Sequence, residues 1–182
     1  MARNNLAVAV LQRGNYAEAE MQFSELAKLD AKVLGRDNPQ TILARYNVAI
    51  TLIGLGQPAE AEVYLREVVA LRQKSLGPDH PETLRAERVL ALALDRQKKF
   101  AEAERLYREV LQTSEKAFGP ENQETIDSCG ALALSLERRL LFAQAKPYAE
   151  RAVAGARKLL GRDHPRTKQY QEVLDAINSM MP

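Results

Sequence analysis

The chain has no tryptophan, one cysteine, two histidines and no long apolar run. A single Cys129 cannot form an internal disulfide and points to a reducing compartment. Neither His80 nor His164 has a second histidine or a cysteine near it in sequence, so no metal site is expected. No apolar stretch exceeds the length of Val89 to Leu94, far shorter than the roughly 20 residues that a helix needs to span a bilayer. Met1-Ala2-Arg3-Asn4-Asn5 does not have the apolar core of a signal peptide. Charge of one sign is also lacking: 26 basic residues face 24 acidic ones, a net charge of +2. No global field then steers the chain towards nucleic acid or a membrane surface. The expectation from these absences is a soluble, cytoplasmic protein with no nucleic-acid partner and no membrane partner.

What is present is a phrase repeated every 42 residues. Gly35, Gly77, Gly119 and Gly161 fall in one column, and Thr41, Thr83, Thr125 and Thr167 in another. Ala17-Glu18-Ala19-Glu20 recurs from Ala59, from Ala101 and, degraded, as Ala143-Gln144-Ala145-Lys146. A fixed period in this range marks a stacked array in which each unit buries its apolar face against its neighbours. Ile42, Val48, Ala49, Leu52 and Leu55 share a helical face, and the apolar set from Val63 to Leu76 continues at the same period. No segment alternates at period two.

Each unit therefore reads as two helices, A and B. Nine are expected, at about 3–13, 16–34, 39–55, 58–76, 81–97, 100–118, 123–139, 142–160 and 165–179. The four units run over about 1–36, 37–78, 79–120 and 121–162, with a capping helix in 163–182, as one array. The Leu-Gly and Phe-Gly columns end B helices with a left-handed glycine. Pro39, Pro81 and Pro165 start A helices, with Asp37, Asp79 and Asp163 adding charge or a cap and Asn122 capping the fourth unit. The A-to-B turn has Gly14 and Gly56 but then Lys98 and Leu140. Leucine tolerates positive φ poorly, so the fourth unit is expected to turn without it. The first A helix lacks a cap and about a turn relative to its copies, which reads as a cut from a longer array or a frayed end.

The small residues Ala7, Ala49, Ala91 and Ala133, with Ala19, Ala61, Ala103 and Ala145 in a second column, resemble the tetratricopeptide repeat. Each copy is about eight residues longer than the usual 34. Leu76-Gly77-Pro78-Asp79-His80-Pro81, Asn4-Asn5-Leu6-Ala7 and Tyr16-Ala17-Glu18-Ala19-Glu20 are similar to the kinesin light chain form. The resemblance implies an all-α, right-handed superhelical solenoid of helix-turn-helix units whose A helices line a concave groove. It also implies a protein-interaction scaffold that binds a peptide or extended segment of a partner, through an asparagine ladder that Asn5 and Asn47 retain and Val89, Ala131 and Val173 lack.

The candidate groove residues are Asn4, Asn5, Tyr46, Asn47, Ile50, Arg85, Arg88 and Asp127. An amide offers donor and acceptor to one peptide group, and Arg85 and Arg88 suit an acidic side chain. Gly130 and Ala131 leave room for a large apolar one. Asn47 bonding only to a neighbouring helix is the competing explanation. No catalytic residue, cofactor or enzymatic activity is expected, because every polar group that could do chemistry recurs as a structural column. Gly54-Leu55-Gly56-Gln57-Pro58-Ala59 matches a dinucleotide fingerprint in letters only, since a helix and not a strand precedes it. The alternative function is a self-assembly or regulatory segment of a larger signalling protein of kinase or ATPase type, docking through the uncapped first helix.

Overall fold

The computed structural model describes residues 2–181, with side chains from Asn4 onward. The described residues form nine helices and no strand: α1 (Ala2–Gln12), α2 (Tyr16–Val33), α3 (Pro39–Gly54), α4 (Pro58–Leu76), α5 (Pro81–Arg96), α6 (Phe100–Phe118), α7 (Gln123–Arg138), α8 (Phe142–Leu160) and α9 (Pro165–Ser179). They gather into two compact units, Met1–Lys99 with α1 to α5 and Phe100–Pro182 with α6 to α9. In the first unit each helix packs on the one before it, and α3 also touches α5. In the second, α7 packs on α6, α8 on α7, and α9 on both α8 and α7.

The alanine columns explain the close approach. Ala7, Ala49, Ala19 and Ala61 in the first unit, and Ala133, Ala103 and Ala145 in the second, are all buried. A methyl there lets neighbouring helices come together, while Phe23, Leu65 and Tyr107 fill the space beyond.

The links between helices follow one design. Each B helix ends at a glycine with positive φ, 94° at Gly35, 97° at Gly77, 83° at Gly119 and 86° at Gly161. At Gly77 and Gly161 ψ is 161° and 167°, outside the left-handed helical well and in a region essentially reserved for glycine. At Gly35, Gly77 and Gly119 the carbonyl so presented accepts a hydrogen bond from the threonine six residues on. Thr41, Thr83 and Thr125 each donate to their glycine at 2.8 Å. The next A helix is capped by the residue after the aspartate column, not by the aspartates. Asn38 and Asn122 accept through Oδ1 from the backbone N–H two residues on, at 2.9 Å. His80 and His164 do the same through Nδ1, at 3.1 and 3.2 Å. That shared acceptor geometry is why asparagine and histidine alternate in one column.

The A-to-B turn corrects one expectation. Gly14 and Gly56 have φ of 79° and 76°, and Lys98 and Leu140 adopt 62° and 60°. The fourth unit thus keeps the positive-φ turn in spite of its leucine, because the backbone bonds that close it, Leu140 N–H to Glu137 O at 2.8 Å and Leu141 N–H to Leu136 O at 3.0 Å, require that path. The second glutamate of the Ala-Glu-Ala-Glu phrase holds these turns. Glu62 pairs with Arg66 on its own helix, accepts from Gln97 and Lys99 at 2.7 Å each, and so ties α4 to the end of α5. In the second unit Glu104 does the same with Arg108 and Arg139.

Candidate functional site

In the first unit, two clefts open on either side of the first turns of α3. One, of about 310 Å³, is lined by Asn4 and Asn5 of α1, Leu26 and Asp30 of α2, and Gln40 and Leu43 of α3. The other, of about 350 Å³, lies among Pro39, Ile42 and Leu43, with Arg72 and Leu76 of α4 and Glu82 of α5 around it. Leu43 belongs to both and is 39% exposed, so one leucine forms the ridge between two mainly apolar hollows.

Asn5 is exposed and Asn4 half-buried at the edge of the first cleft. Asn47 lies beneath them, 8% exposed, and its Nδ2 donates to Asn4 Oδ1 at 3.2 Å. The two asparagines of the ladder column therefore differ: Asn5 faces outwards, and Asn47 holds Asn4 in place.

Tyr46 is buried, with the Arg72 guanidinium 4.7 Å from its ring centroid. Burial raises its phenol pKa, against the opposing fields of Arg88, Arg72 and Arg85. Arg72 is itself 5% exposed. It donates to the Glu82 carbonyl at 2.7 Å and pairs with the Glu82 carboxylate at 3.1 Å. Such a charge is kept in a buried place only by this set of partners. Arg85 donates to the other carboxylate oxygen of Glu82 at 2.8 Å, so Glu82 bridges the buried arginine and the half-exposed one. Ile50 and Arg88 are half-buried and line neither cleft.

Leu26, Asp30, Gln40, Arg72 and Leu76 were not among the expected site residues. Four of the five lie on B helices, away from the A-helix face that carries the expected groove residues. Arg72 carried a legible signal. It shares a column with Ser114 and Ala156, both buried, and a long charged side chain there must reach a partner.

Asp127 lies in the second unit and is 7% exposed. It accepts from Gln123 Nε2 at 2.8 Å, from Arg166 Nη1 at 2.5 Å and from the Tyr170 hydroxyl at 2.7 Å. These bonds fasten α9 to α7. The room expected at Gly130 is taken, because a Cβ there would lie 2.3 Å from the Tyr170 ring. Gly54 has the same use in the first unit, where the Tyr16 ring occupies the place of a Cβ. With Gly56 in its positive-φ turn, both glycines of the dinucleotide-like phrase have structural explanations.

Cys129 is buried, and burial pushes its thiol pKa up to about 11. A thiol held in that state is a poor nucleophile near neutral pH. Among the described residues no group of three or more histidines, cysteines or carboxylates is placed to hold a metal ion. No helix among them is long and apolar enough to cross a membrane.

The tetratricopeptide repeat profile matches residues 1–74, 45–116 and 90–158. No curated protein matches the chain by sequence. Among solved structures, the chain is similar to a Podosopora anserina protein of nearly identical TPR-like repeats, of kinesin light chain type. The two are 24% identical with a TM-score of 0.74, over 98% of this chain and 92% of that one. BtubC (BKLC) from P. vanneervenii is 20% identical with a TM-score of 0.77, over 96% of this chain and 70% of its own. A double mutant of MamA RS-1 is 18% identical with a TM-score of 0.56, over 98% and 92%. At these identities the solved structures speak for the fold, and the profile, spanning most of the residues, speaks for descent. The chain belongs to the tetratricopeptide repeat family, and its fold is similar to that of solved repeats of the kinesin light chain type.

Proposed function

We propose that the protein is a non-enzymatic interaction module that binds an extended segment of a partner protein across the two clefts beside Leu43. Tetratricopeptide repeats in general mediate contacts between proteins, which supports the class of function. The observation that carries the finer reading is the pair of apolar hollows of about 310 and 350 Å³ that share one exposed leucine. Two apolar side chains of a bound segment would fill them. The Asn4 and Asn5 amides meet its backbone at one end, and Arg85, with Arg88 beyond it, offers positive charge at the other. Tyr46 and Asn47 support this surface from beneath. Because the clefts exist before binding, the ordering cost falls on the ligand, and an affinity of micromolar class, about −8 kcal/mol, follows. Asp127, whose oxygens serve α9, lies outside this reading.

The test is selection from a random peptide library on the wild-type protein, followed by calorimetry against Leu43→Asp and Asn47→Ala. The expected outcome is a set of micromolar-class peptides that lose at least tenfold with Leu43→Asp and less with Asn47→Ala. Selected peptides that bind Leu43→Asp as well as wild type would refute the assignment.

One observation favours a second reading. Leu6 on α1 is 61% exposed, whereas Val48, Leu90 and Leu132 in the same column are 0–5% exposed. A face that is covered in the second, third and fourth copies is bare in the first, as self-assembly through α1 requires. A molar mass by light scattering that stays monomeric at high concentration, and does not respond to Leu6→Glu, would dismiss it.

A further inference from the structure

We propose that the second unit carries an oxyanion site for a phosphoryl group, in the cleft between the end of α8 and the start of α9. The cleft, of about 260 Å³, is lined by Arg157, Arg162, Thr167, Lys168, Gln171 and Glu172. Its lining holds three cations against one carboxylate, a net charge that a phosphate dianion matches. Two features set it apart from the same place in the other repeats.

The first is Thr167. Its column mates Thr41, Thr83 and Thr125 each spend their hydroxyl on a glycine carbonyl at 2.8 Å. Thr167 is 2% exposed, and its Oγ1 is the one buried side-chain polar atom without a hydrogen-bond partner among the described residues. A buried hydroxyl left unmet is unfavourable, so a ligand that accepts from it gains a hydrogen bond that the fold leaves unused. A helical threonine has two open χ1 wells, which lets the hydroxyl turn towards an incoming oxygen.

The second is Lys168. The same column is Ile42, Leu84 and Ile126 elsewhere, all buried core residues, and here it is a cation beside the threonine. Lys168 is paired only with Asp163, at 3.4 Å, and both side chains are more than half exposed. An exposed pair of that kind is weak and gives way to a doubly charged ligand. Arg157 donates to Gln171 Oε1 at 2.6 Å, which holds its guanidinium along the cleft. The start of α9 adds the favourable end of a helix dipole.

The experiment is a titration of the isotope-labelled full chain, followed by amide chemical shifts, with inorganic phosphate in one arm and a Gly-phosphoserine-Gly peptide in the other. Sodium chloride of equal ionic strength and the unphosphorylated peptide are the controls. The expected result is saturable shifts confined to residues 157–172, with about a tenfold loss of affinity in Thr167→Val, the scale of one hydrogen bond to a charged group. Tighter binding of the peptide than of the free ion identifies a phosphorylated side chain as the source; equal binding identifies free phosphate. Thr167→Val has no internal hydrogen bond to lose and removes an unmet buried hydroxyl, so its thermal midpoint should equal or exceed that of wild type, whereas Thr125→Val should lower it. Shifts that the chloride control reproduces, or a Thr167→Val variant that binds phosphate as wild type does, would overturn the proposal.

Discussion

Replacing Leu140 by glycine should stabilise the protein, although glycine is among the least favourable residues inside a helix. Leu140 has φ of 60° and is 69% exposed, so its side chain contributes little packing while its backbone sits in the left-handed region. That conformation costs an L residue about 1–2 kcal/mol. Glycine removes the penalty but adds about 0.5–1 kcal/mol of chain entropy to the unfolded state. The net gain is about 0.5–1 kcal/mol, which for a chain of this size raises the midpoint by roughly 1–4 °C. Leu140→Ala is the comparison that isolates the backbone, since it removes the same side chain and keeps the strain. Repeat arrays need not unfold in one step, so the assay is a denaturant titration followed both by helix content and by a probe placed in α8. The expected order of stability is Leu140→Gly above Leu140→Ala, with Lys98→Gly and Lys98→Ala in the same order for the third repeat. If the alanine variants equal or exceed the glycine variants, positive φ is not what strains these turns, and the argument from the turn column fails.

Three further outcomes follow from the packing. Glu62 is driven up by burial, but hydrogen bonds from Lys99, Gln97 and Arg66 outweigh that and hold its pKa at about 2 instead of 4.5. A depressed carboxylate stabilises fully above the unfolded value, so this contribution, at most about 3 kcal/mol, is present above pH 4.5 and lost as pH falls from there towards 2. Acid titration of stability should show the loss in wild type and a flatter profile in Glu62→Gln; parallel profiles would contradict it. Gly130→Ala places a methyl 2.3 Å from the Tyr170 ring and should destabilise by about 1–3 kcal/mol, an effect that Tyr170→Ala in the same chain should remove, as read by thermal unfolding. Cys129 should label with a thiol reagent at pH 8 only as fast as the second unit opens, so that added denaturant, not added reagent, sets the rate.

Much of the fold was legible in the letters because the repeat states each structural rule several times. Small residues at Ala49 and Ala91, proline at helix starts and glycine at helix ends recur every 42 residues, and local propensity agrees with them at each place. The elements observed match those expected to within two residues at either end. The turn at Leu140 was not legible, because the residue's own preference opposes positive φ while the closing hydrogen bonds of its neighbours impose it. The cap at Asn122 was legible, whereas the aspartate column offered charge or a cap, and only the backbone direction shows that the residue after each aspartate does the capping.

The candidate site divides along the same line. Which residues repeat, and therefore that Asn5 and Asn47 occupy one column, is a property of the sequence. That Asn5 faces outwards while Asn47 lies beneath Asn4 depends on side chains 43 residues apart in the chain. Sequence alone determined the helices, their order and the columns on which they pack, because periodicity and propensity are local. Tertiary structure alone decided that Tyr170 fills the place beside Gly130, that Arg72 runs beneath the apolar cleft to Glu82, and that Thr167 keeps its hydroxyl unspent. Those outcomes depend on where long side chains end, and no local preference specifies where a neighbouring helix will meet them.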